Sequence, residues 1–312
     1  MIISRVAMAA VLIVLAGEGG AIAQSGGGNE SKSASGAGAR SAPWTTHEMS
    51  GATAAALPDV DPKAVAAVAA SQRAASGGAP GTLPAADDPA GESERKVLRK
   101  PLYWAGKLFY RTPRGDFTCS AQFISPSVVL TAANCVRDPD TGAWYEDFVF
   151  ALGYDRGKWI ELYDYDCAAT KNGWVQPGLE RYLYDYAMLK VLGRSKMGHF
   201  GTHWNWAGEY REANRVGYLV GNGNAEVATV DRGRIAVSDG IVMLRHGNNR
   251  DQAGISGAAF IGGFTQNESR EDGNYVISVD SFSYREEPGV NYGPYFTADF
   301  KDLFDYAERG CQ

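Results

Sequence analysis

The aromatic and cysteine residues of this chain are confined almost entirely to its last two thirds. Residues 101–312 hold 34 of the 35 aromatic residues and all four cysteines, and Trp44 is the one aromatic residue outside them. Large apolar side chains supply most of the area that a protein core buries, so only residues 101–312 can build a core of ordinary size. We therefore predict one folded domain over residues 101–312, preceded by a different kind of chain.

Residues 1–23 have the three parts of an export signal. Arg5 provides a positively charged start, residues 6–16 form an apolar stretch, and residues 21–23 read Ala-Ile-Ala, a small-residue cleavage site. The alternative, a short membrane anchor, is disfavoured because the stretch is short for a bilayer. The expected location is secreted or periplasmic, with no stable membrane insertion and with Gln24 near the mature start.

Residues 24–100 are rich in Ala, Gly, Ser and Pro. Such a segment cannot bury enough apolar area to offset the entropy lost on ordering, so we predict that it is disordered apart from a weak helix over residues 63–75. The charged run at residues 92–100 is a candidate processing site, because flexible basic segments are easily cut. Two readings stay open, a pro-segment and a passive linker.

The overall charge and the absence of ligand motifs exclude several classes of function. The formal net charge is −6, with 30 Lys and Arg against 36 Asp and Glu. A nucleic-acid-binding protein usually carries a basic surplus, so nucleic acid is not an expected partner. The sequence contains no Gly-rich phosphate loop and no convincing metal cluster, and therefore no cofactor is expected. It leaves the oligomeric state undetermined.

Short runs of β-branched and aromatic residues, separated by Gly, Pro, Asn and Asp, dominate the predicted domain. The predicted strands are 102–110, 117–124, 128–132, 148–152, 159–165, 186–192, 215–220, 241–245 and 275–282. One helix is predicted at the end, where Phe300, Leu303, Phe304 and Ala307 share a face and Thr297 is a candidate N-cap. This pattern predicts an all-β domain, an antiparallel barrel or sandwich, with a C-terminal helix.

Four cysteines in an exported chain allow three disulfide pairings. Cys119 and Cys135 flank two predicted strands that are joined by a short turn, so a bridge between them would clip a hairpin and contribute roughly 3 kcal/mol. Cys167 would then pair with Cys311 and tie the C-terminal helix to the β-structure. A zinc site is disfavoured because no two cysteines are separated by two residues.

Three segments, residues 123–136, 184–191 and 254–260, together resemble the catalytic segments of the chymotrypsin-like serine peptidases, and the bacterial glutamyl-endopeptidase (V8-like) branch is the most similar. The resemblance covers about residues 101–307. It implies a double antiparallel β-barrel, with Asp185 as the carboxylate that orients the base and Ser256 as the nucleophile. The amides of Gly254 and Ser256 are the implied oxyanion hole.

The implied triad is degenerate at its base. The family carries Thr-Ala-Ala-His-Cys where this chain reads Thr-Ala-Ala-Asn-Cys, so Asn134 occupies the position of the catalytic histidine. A carboxamide has no useful basicity and cannot take a proton from a serine hydroxyl. In a comparable triad, loss of the histidine lowers kcat about 10⁶-fold. The sequence therefore predicts impaired catalysis.

Two further departures surround the expected nucleophile. Ala258 replaces a residue that is glycine or serine in the family pattern, and a methyl group there would crowd the backbone if glycine dihedrals were needed. Ile255 stands where many relatives carry a polar residue, and the oxyanion loop would be less well formed if that residue shapes it. The four histidines of the chain could in principle replace the missing base, but each is expected to be a packing or surface residue: His47, His199, His203 and His246.

The sequence gives conflicting signals about a substrate. By the resemblance, Arg250 falls at the base of the primary specificity pocket and would favour an acidic side chain. Asp280 falls at a position where glutamyl endopeptidases use a histidine, and it would repel the same side chain. Residues 281–283, beginning with Ser281, are expected to pair with an extended peptide as an added strand. The expected partner is thus a peptide or protein, without an assigned specificity.

Three functions are compatible with these observations. The first is an exported peptidase homologue that has lost most or all catalysis and retains peptide or protein binding. The second is a working endopeptidase in which Asn134 is compensated elsewhere. The third is a structural or interaction module of the cell envelope.

Overall fold

The computed structural model of the 312-residue chain describes residues 27–34, 43–72, 79–85, 99–221, 225–226, 228–267, 270 and 272–312. The export signal expected at residues 1–23 lies outside the described residues, as do residues 92–98 of the charged run. No helix in the described part of the chain combines the length and the apolar character needed to cross a membrane.

Six antiparallel strands form a closed first barrel. They are β4 (Ala105–Thr112), β5 (Gly115–Phe123), β6 (Val128–Thr131), β7 (Glu146–Leu152), β8 (Glu161–Lys171) and β9 (Ala187–Val191). Pairing of β8 with β9 closes the barrel. Its interior is filled by aromatic and aliphatic side chains, among them Phe123, Phe150 and Tyr163, which pack edge to face.

A second, barrel-like sheet holds the rest of the predicted domain. Its strands are β10 (Gly201–Trp204), β11 (Glu212–Gly217), β12 (Thr229–Ser238), β13 (Ile241–Arg245), β14 (Ala259–Gly262), β15 (Tyr275–Val279), β16 (Phe282–Ser283) and β17 (Val290–Pro294). The strand order is β16-β17-β13-β12-β11-β14-β15-β10, with β3 (Gly81–Leu83) beyond β10. The all-β, two-barrel expectation is therefore confirmed.

The C-terminal helix α3 (Ala298–Glu308) packs its apolar side into a core shared by both sheets. The Thr297 side chain caps the helix by accepting a hydrogen bond from Asp299 N–H, as predicted. Both expected disulfides, Cys119–Cys135 and Cys167–Cys311, are present, and the second one ties the end of the chain to β8.

The prediction that residues 24–100 are disordered is wrong for the described parts of that segment. These parts form β1 (Asn29–Ser33), α1 (Thr46–Gly51), β2 (Thr53–Ala54), α2 (Pro62–Gln72) and β3 (Gly81–Leu83), and α2 corresponds to the predicted weak helix. The composition of the segment limits only the apolar area that it can bury by itself. In the structure it buries Met49 and Val65 against side chains of the barrels, which supply the missing apolar partners.

Candidate active site

The three segments of the resemblance meet in one place, between the two barrels. Asn134 lies in a 3₁₀ turn (Ala133–Cys135) that follows β6, Asp185 directly precedes Tyr186 and β9, and Ser256 lies in the loop before β14. The Asn134 Nδ2 atom is 3.3 Å from the Ser256 Oγ atom. Asn134 therefore occupies the position from which a base would act on this hydroxyl.

The hydrogen bond between Asn134 and Ser256 runs in the wrong direction for activating a nucleophile. The Asn134 amide donates to the Ser256 hydroxyl, whereas a general base must accept the proton of that hydroxyl. The Asn134 Oδ1 atom lies 3.1 Å from the Cys135 sulfur, which is in a disulfide and has no hydrogen to donate. Whichever amide atom faced the hydroxyl, a carboxamide would remain too weak a base to deprotonate it.

Asp185 is fully buried and is held by main-chain and hydroxyl donors. Its Oδ1 accepts from the Asn134 N–H at 2.8 Å, its Oδ2 accepts from the Ser281 hydroxyl at 2.5 Å, and the Ala133 N–H is a further donor. Burial raises the pKa of Asp185 to about 7, although these hydrogen bonds favour the ionised form. The carboxylate is thus positioned as in a triad, beside a residue that has no ring to orient.

The four histidines lie elsewhere and do not replace the missing base. In the described part of the chain, Asn134 is the only residue whose side chain hydrogen-bonds to the Ser256 hydroxyl. His47 is exposed on α1. The other three use ring nitrogens on partners away from Ser256: His199 on the Phe200 carbonyl, His203 on the Tyr210 hydroxyl and His246 on the Asn291 side chain.

The loop around Ser256 depends on two glycines in left-handed conformations. Gly254 has a φ of 89° and Gly257 a φ of 83°. A Cβ atom on Gly257 would lie 2.3 Å from the Ser120 carbonyl oxygen, so this position excludes any side chain. The Gly254 N–H, expected in the oxyanion hole, points out of the loop and donates to the Ala55 carbonyl at 2.7 Å.

The two substitutions beside Ser256 are accommodated by an apolar cluster. Ile255 and Ala258 are both buried and pack with Leu219. Ala258 is not among the residues with a positive φ, so the expected need for glycine dihedrals does not arise. The space for its methyl group comes from Gly217, where a Cβ atom would lie only 2.4 Å from the Ala258 Cβ.

A polar pocket of about 580 Å³ opens beside the site. Arg250 lines it, as expected, but Arg250 Nη2 also pairs with Asp231 Oδ1 at 2.9 Å, which reduces the positive charge offered to a ligand. Ser281 is not part of the pocket lining, because its hydroxyl is bonded to Asp185. Ser283, two residues further on and in β16, lines the pocket instead.

A buried charge network, which the sequence did not reveal, lies close to the pocket. Arg215 pairs with Asp280 at 3.0 Å and with Asp231 at 2.6 Å, and Asn291 also bonds to Asp280. Burial raises the pKa of Asp280 to about 6, while Arg215 favours its ionised form. Asp280 is therefore engaged by internal partners, and the repulsion expected from it is offset by Arg215. No single strand pattern could have indicated a contact between residues 65 positions apart.

Solved structures similar to this chain include three proteases. A thermostable serine protease, AL20, from an extremophilic microorganism is 23% identical, with a TM-score of 0.57 over 67% of this chain and 98% of its own. The protease Anisep from Arthrobacter nicotinovorans is 21% identical, with a TM-score of 0.57 over 66% of this chain and 96% of its own. A Glu endopeptidase is 15% identical, with a TM-score of 0.54 over 68% of this chain and 93% of its own.

No protein-family profile and no curated protein sequence matches the chain. These structural matches show a shared fold and nothing finer, because the sequence identities are only 15% to 23%. The chain has the fold of the chymotrypsin-like serine proteases.

Proposed function

We propose that this protein is an exported serine-endopeptidase homologue whose catalysis is impaired by Asn134 and whose cleft binds an extended peptide. Export is supported by the signal pattern of residues 1–23 and by two disulfides, which are typical of oxidising compartments. The observation that carries the loss of catalysis is the 3.3 Å contact between the Asn134 amide and the Ser256 hydroxyl.

The proposed defect concerns proton transfer and leaves the remainder of the site in place. Asp185 and Ser256 both lie within hydrogen-bond reach of Asn134, and the Gly254 amide would serve an oxyanion once the Ala55 carbonyl releases it, so binding and oxyanion stabilisation would survive the loss of the base. In a comparable triad, these surviving elements still give about 10³–10⁴-fold acceleration over water. The lost base accounts for about 10⁶ in kcat, or roughly 8 kcal/mol of barrier.

Peptide binding is supported by main-chain groups along the cleft. The Gly254 and Ser283 N–H groups donate to carbonyls of an extended stretch of the protein's own chain, residues 55–58, as they would to a bound peptide, and the pocket of about 580 Å³ lies between residues 248–253 and 283–291. Main-chain hydrogen bonds of this kind supply affinity, whereas pockets supply side-chain preference. The envelope-module alternative predicts that no peptide binds in this cleft.

Reaction with a fluorophosphonate probe tests the proposed loss of catalysis, because the probe requires an activated serine. We expect no labelling of the full-length protein over hours, under conditions in which an active serine protease is labelled within minutes. The matched control is Ser256→Ala, which reports any labelling at another residue. Fast stoichiometric labelling that disappears in Ser256→Ala would refute the impaired-catalysis proposal.

A further inference from the structure

A stretch of the N-terminal segment, residues 53–60, runs across the candidate active site. At one end β2 pairs in parallel with β5, and the Ala55 N–H donates to the Thr118 carbonyl at 2.9 Å. The Ala55 carbonyl then accepts from the Gly254 N–H at 2.7 Å. The Ala55 carbonyl thus accepts a hydrogen bond from the amide that the proposed function assigns to the oxyanion hole.

The other end of this stretch pairs with the strand expected to receive a peptide. The Ser283 N–H donates to the Pro58 carbonyl at 2.9 Å, and the Ser283 carbonyl accepts from the Val60 N–H at 2.9 Å. Together these bonds form a parallel bridge centred on Asp59 and Ser283. The main-chain N–H and the main-chain carbonyl of Ser283 are consequently both hydrogen-bonded to the protein's own N-terminal segment.

Between these two anchor points the stretch lines the cleft, with Leu57 and Val60 packed against the domain and Ala56 and Asp59 exposed. Leu57 packs against the apolar cluster of Leu219, Ile255 and Ala258 beside the nucleophile. Ala56, Leu57 and Asp59 are part of the pocket wall, and Val60 is buried in the second sheet. Ser256 itself has no exposed surface in this arrangement.

We infer that the cleft is a groove for an extended chain and that residues 53–60 of this protein occupy it, closing it to other ligands. The inference rests on the proposed peptide-binding function, because the segment uses the groups that a peptide would use. A tethered segment competes at an effective concentration in the millimolar range, so a segment of micromolar intrinsic affinity would weaken the apparent affinity of a free peptide about 10³-fold. Residues 24–100 then act as a regulatory pro-segment rather than as a passive linker.

Other contacts of the N-terminal segment hold this stretch in place. β1 pairs with β8 on the first barrel, and β3 pairs with β10 on the second sheet. The Trp44 indole Nε1–H donates to the Asp147 main-chain carbonyl at 2.7 Å, and the Arg111 guanidinium lies over the Trp44 ring. The segment is therefore bound at several sites, and residues 53–60 lie between them.

Hydrogen exchange on the full-length protein tests the occupation of the cleft. Leu57→Asp places a charge in the apolar cluster and should release the stretch, whereas Leu192→Asp makes the same change at an exposed leucine that follows β9. In the wild type we expect protection at the four amides that join segment and cleft: Ala55, Val60, Gly254 and Ser283. Leu57→Asp should speed the exchange of all four at least 10-fold, and Leu192→Asp should change none of them.

Two exchange results would overturn the inference. One is unprotected amides at residues 55 and 60 in the wild type. The other is faster exchange of those two amides in Leu57→Asp with no change at Gly254 and Ser283, because the cleft would then not depend on the segment.

Binding of a labelled synthetic peptide with the sequence of residues 51–62 separates this inference from the proposed function. We expect Leu57→Asp to bind it at least 10-fold more tightly than the wild type or Leu192→Asp does. Equal binding by all three proteins contradicts the closed cleft and leaves the peptide-binding function standing. If all four amides lose protection together in Leu57→Asp but no protein binds the peptide, the occupied cleft is supported and the peptide-binding function is contradicted.

Discussion

Replacement of Asn134 by histidine is the most direct perturbation of the candidate site. The side chain at this position already reaches within 3.3 Å of the Ser256 hydroxyl, and the residue's N–H is fixed on Asp185 at 2.8 Å. Asp185 Oδ2 accepts one hydrogen bond, from Ser281, and a carboxylate oxygen can accept a second one from an imidazole N–H. Asn134→His therefore has both an acceptor for its ring and a hydroxyl to deprotonate.

The expected gain follows from the chemistry of the base. Loss of histidine from a comparable triad costs about 10⁶-fold in kcat, which sets the upper limit for its restoration. We expect Asn134→His/Leu57→Asp to be labelled at Ser256 by a fluorophosphonate at least 10³-fold faster than Leu57→Asp, an increase below the upper limit because the ring must still be held in position by packing. The double variant Asn134→His/Leu57→Asp, with an open cleft, should react faster than Asn134→His alone.

The labelling rate is best measured as a function of pH. A histidine base should give a rate that rises through the imidazole pKa, near 6.5, and then levels off. Asn134→Gln is the matched control, because it lengthens the side chain without adding a base, and it should stay unreactive. If Asn134→His/Leu57→Asp folds but remains as unreactive as Asn134→Gln, then the proposal that Asn134 impairs catalysis by replacing the base is wrong.

Two further predictions concern the residues that support the site. The folded-state pKa of Asp185 is raised from 3.8 to about 7, so the stability that this group contributes is complete below about pH 4 and is lost as pH rises through about 7. Ser281→Ala removes a hydrogen-bond donor to the ionised Asp185 carboxylate. It should lower the free energy of unfolding, measured with urea, by about 1–3 kcal/mol at pH 9 but by much less at pH 4. Equal losses at both pH values would contradict the hydrogen bond between Ser281 and the ionised Asp185. Gly217→Ala should destabilise the protein by about 1–3 kcal/mol through its clash with Ala258, and additive effects in a double-mutant cycle with Ala258→Gly would exclude that clash.

Much of the architecture was predictable because local patterns and tertiary structure agree. All nine predicted strands overlap observed strands, and Ile241–Arg245 has the same bounds in both. The two disulfides followed from the placement of cysteines on neighbouring elements. The position of Asn134 beside Ser256 was predictable from the order of three motifs, although the direction of the hydrogen bond required coordinates.

The elements that were missed depend on partners far away in sequence. Strand β12 carries Asp and Arg residues that lower its intrinsic strand preference, and it forms because β11 and β13 pair with its two edges. The occupied cleft left no signal either, because residues 53–56 have small side chains and the stretch is joined to the cleft mainly by backbone hydrogen bonds. Backbone pairing of this kind is nearly independent of residue type, so composition does not reveal it.

The attachment of β1 to one barrel and of β3 to the other bears on what a proteolytic nick would achieve. A cut anywhere between residues 85 and 99 would remove the covalent link but leave both strands paired, so the products would migrate as one non-covalent complex. Each anchor keeps the others close to their binding sites, so a single broken contact re-forms before the fragment diffuses away. Release would therefore require loss of several anchors at once, and activation by cleavage would need a second event that degrades or extracts the fragment.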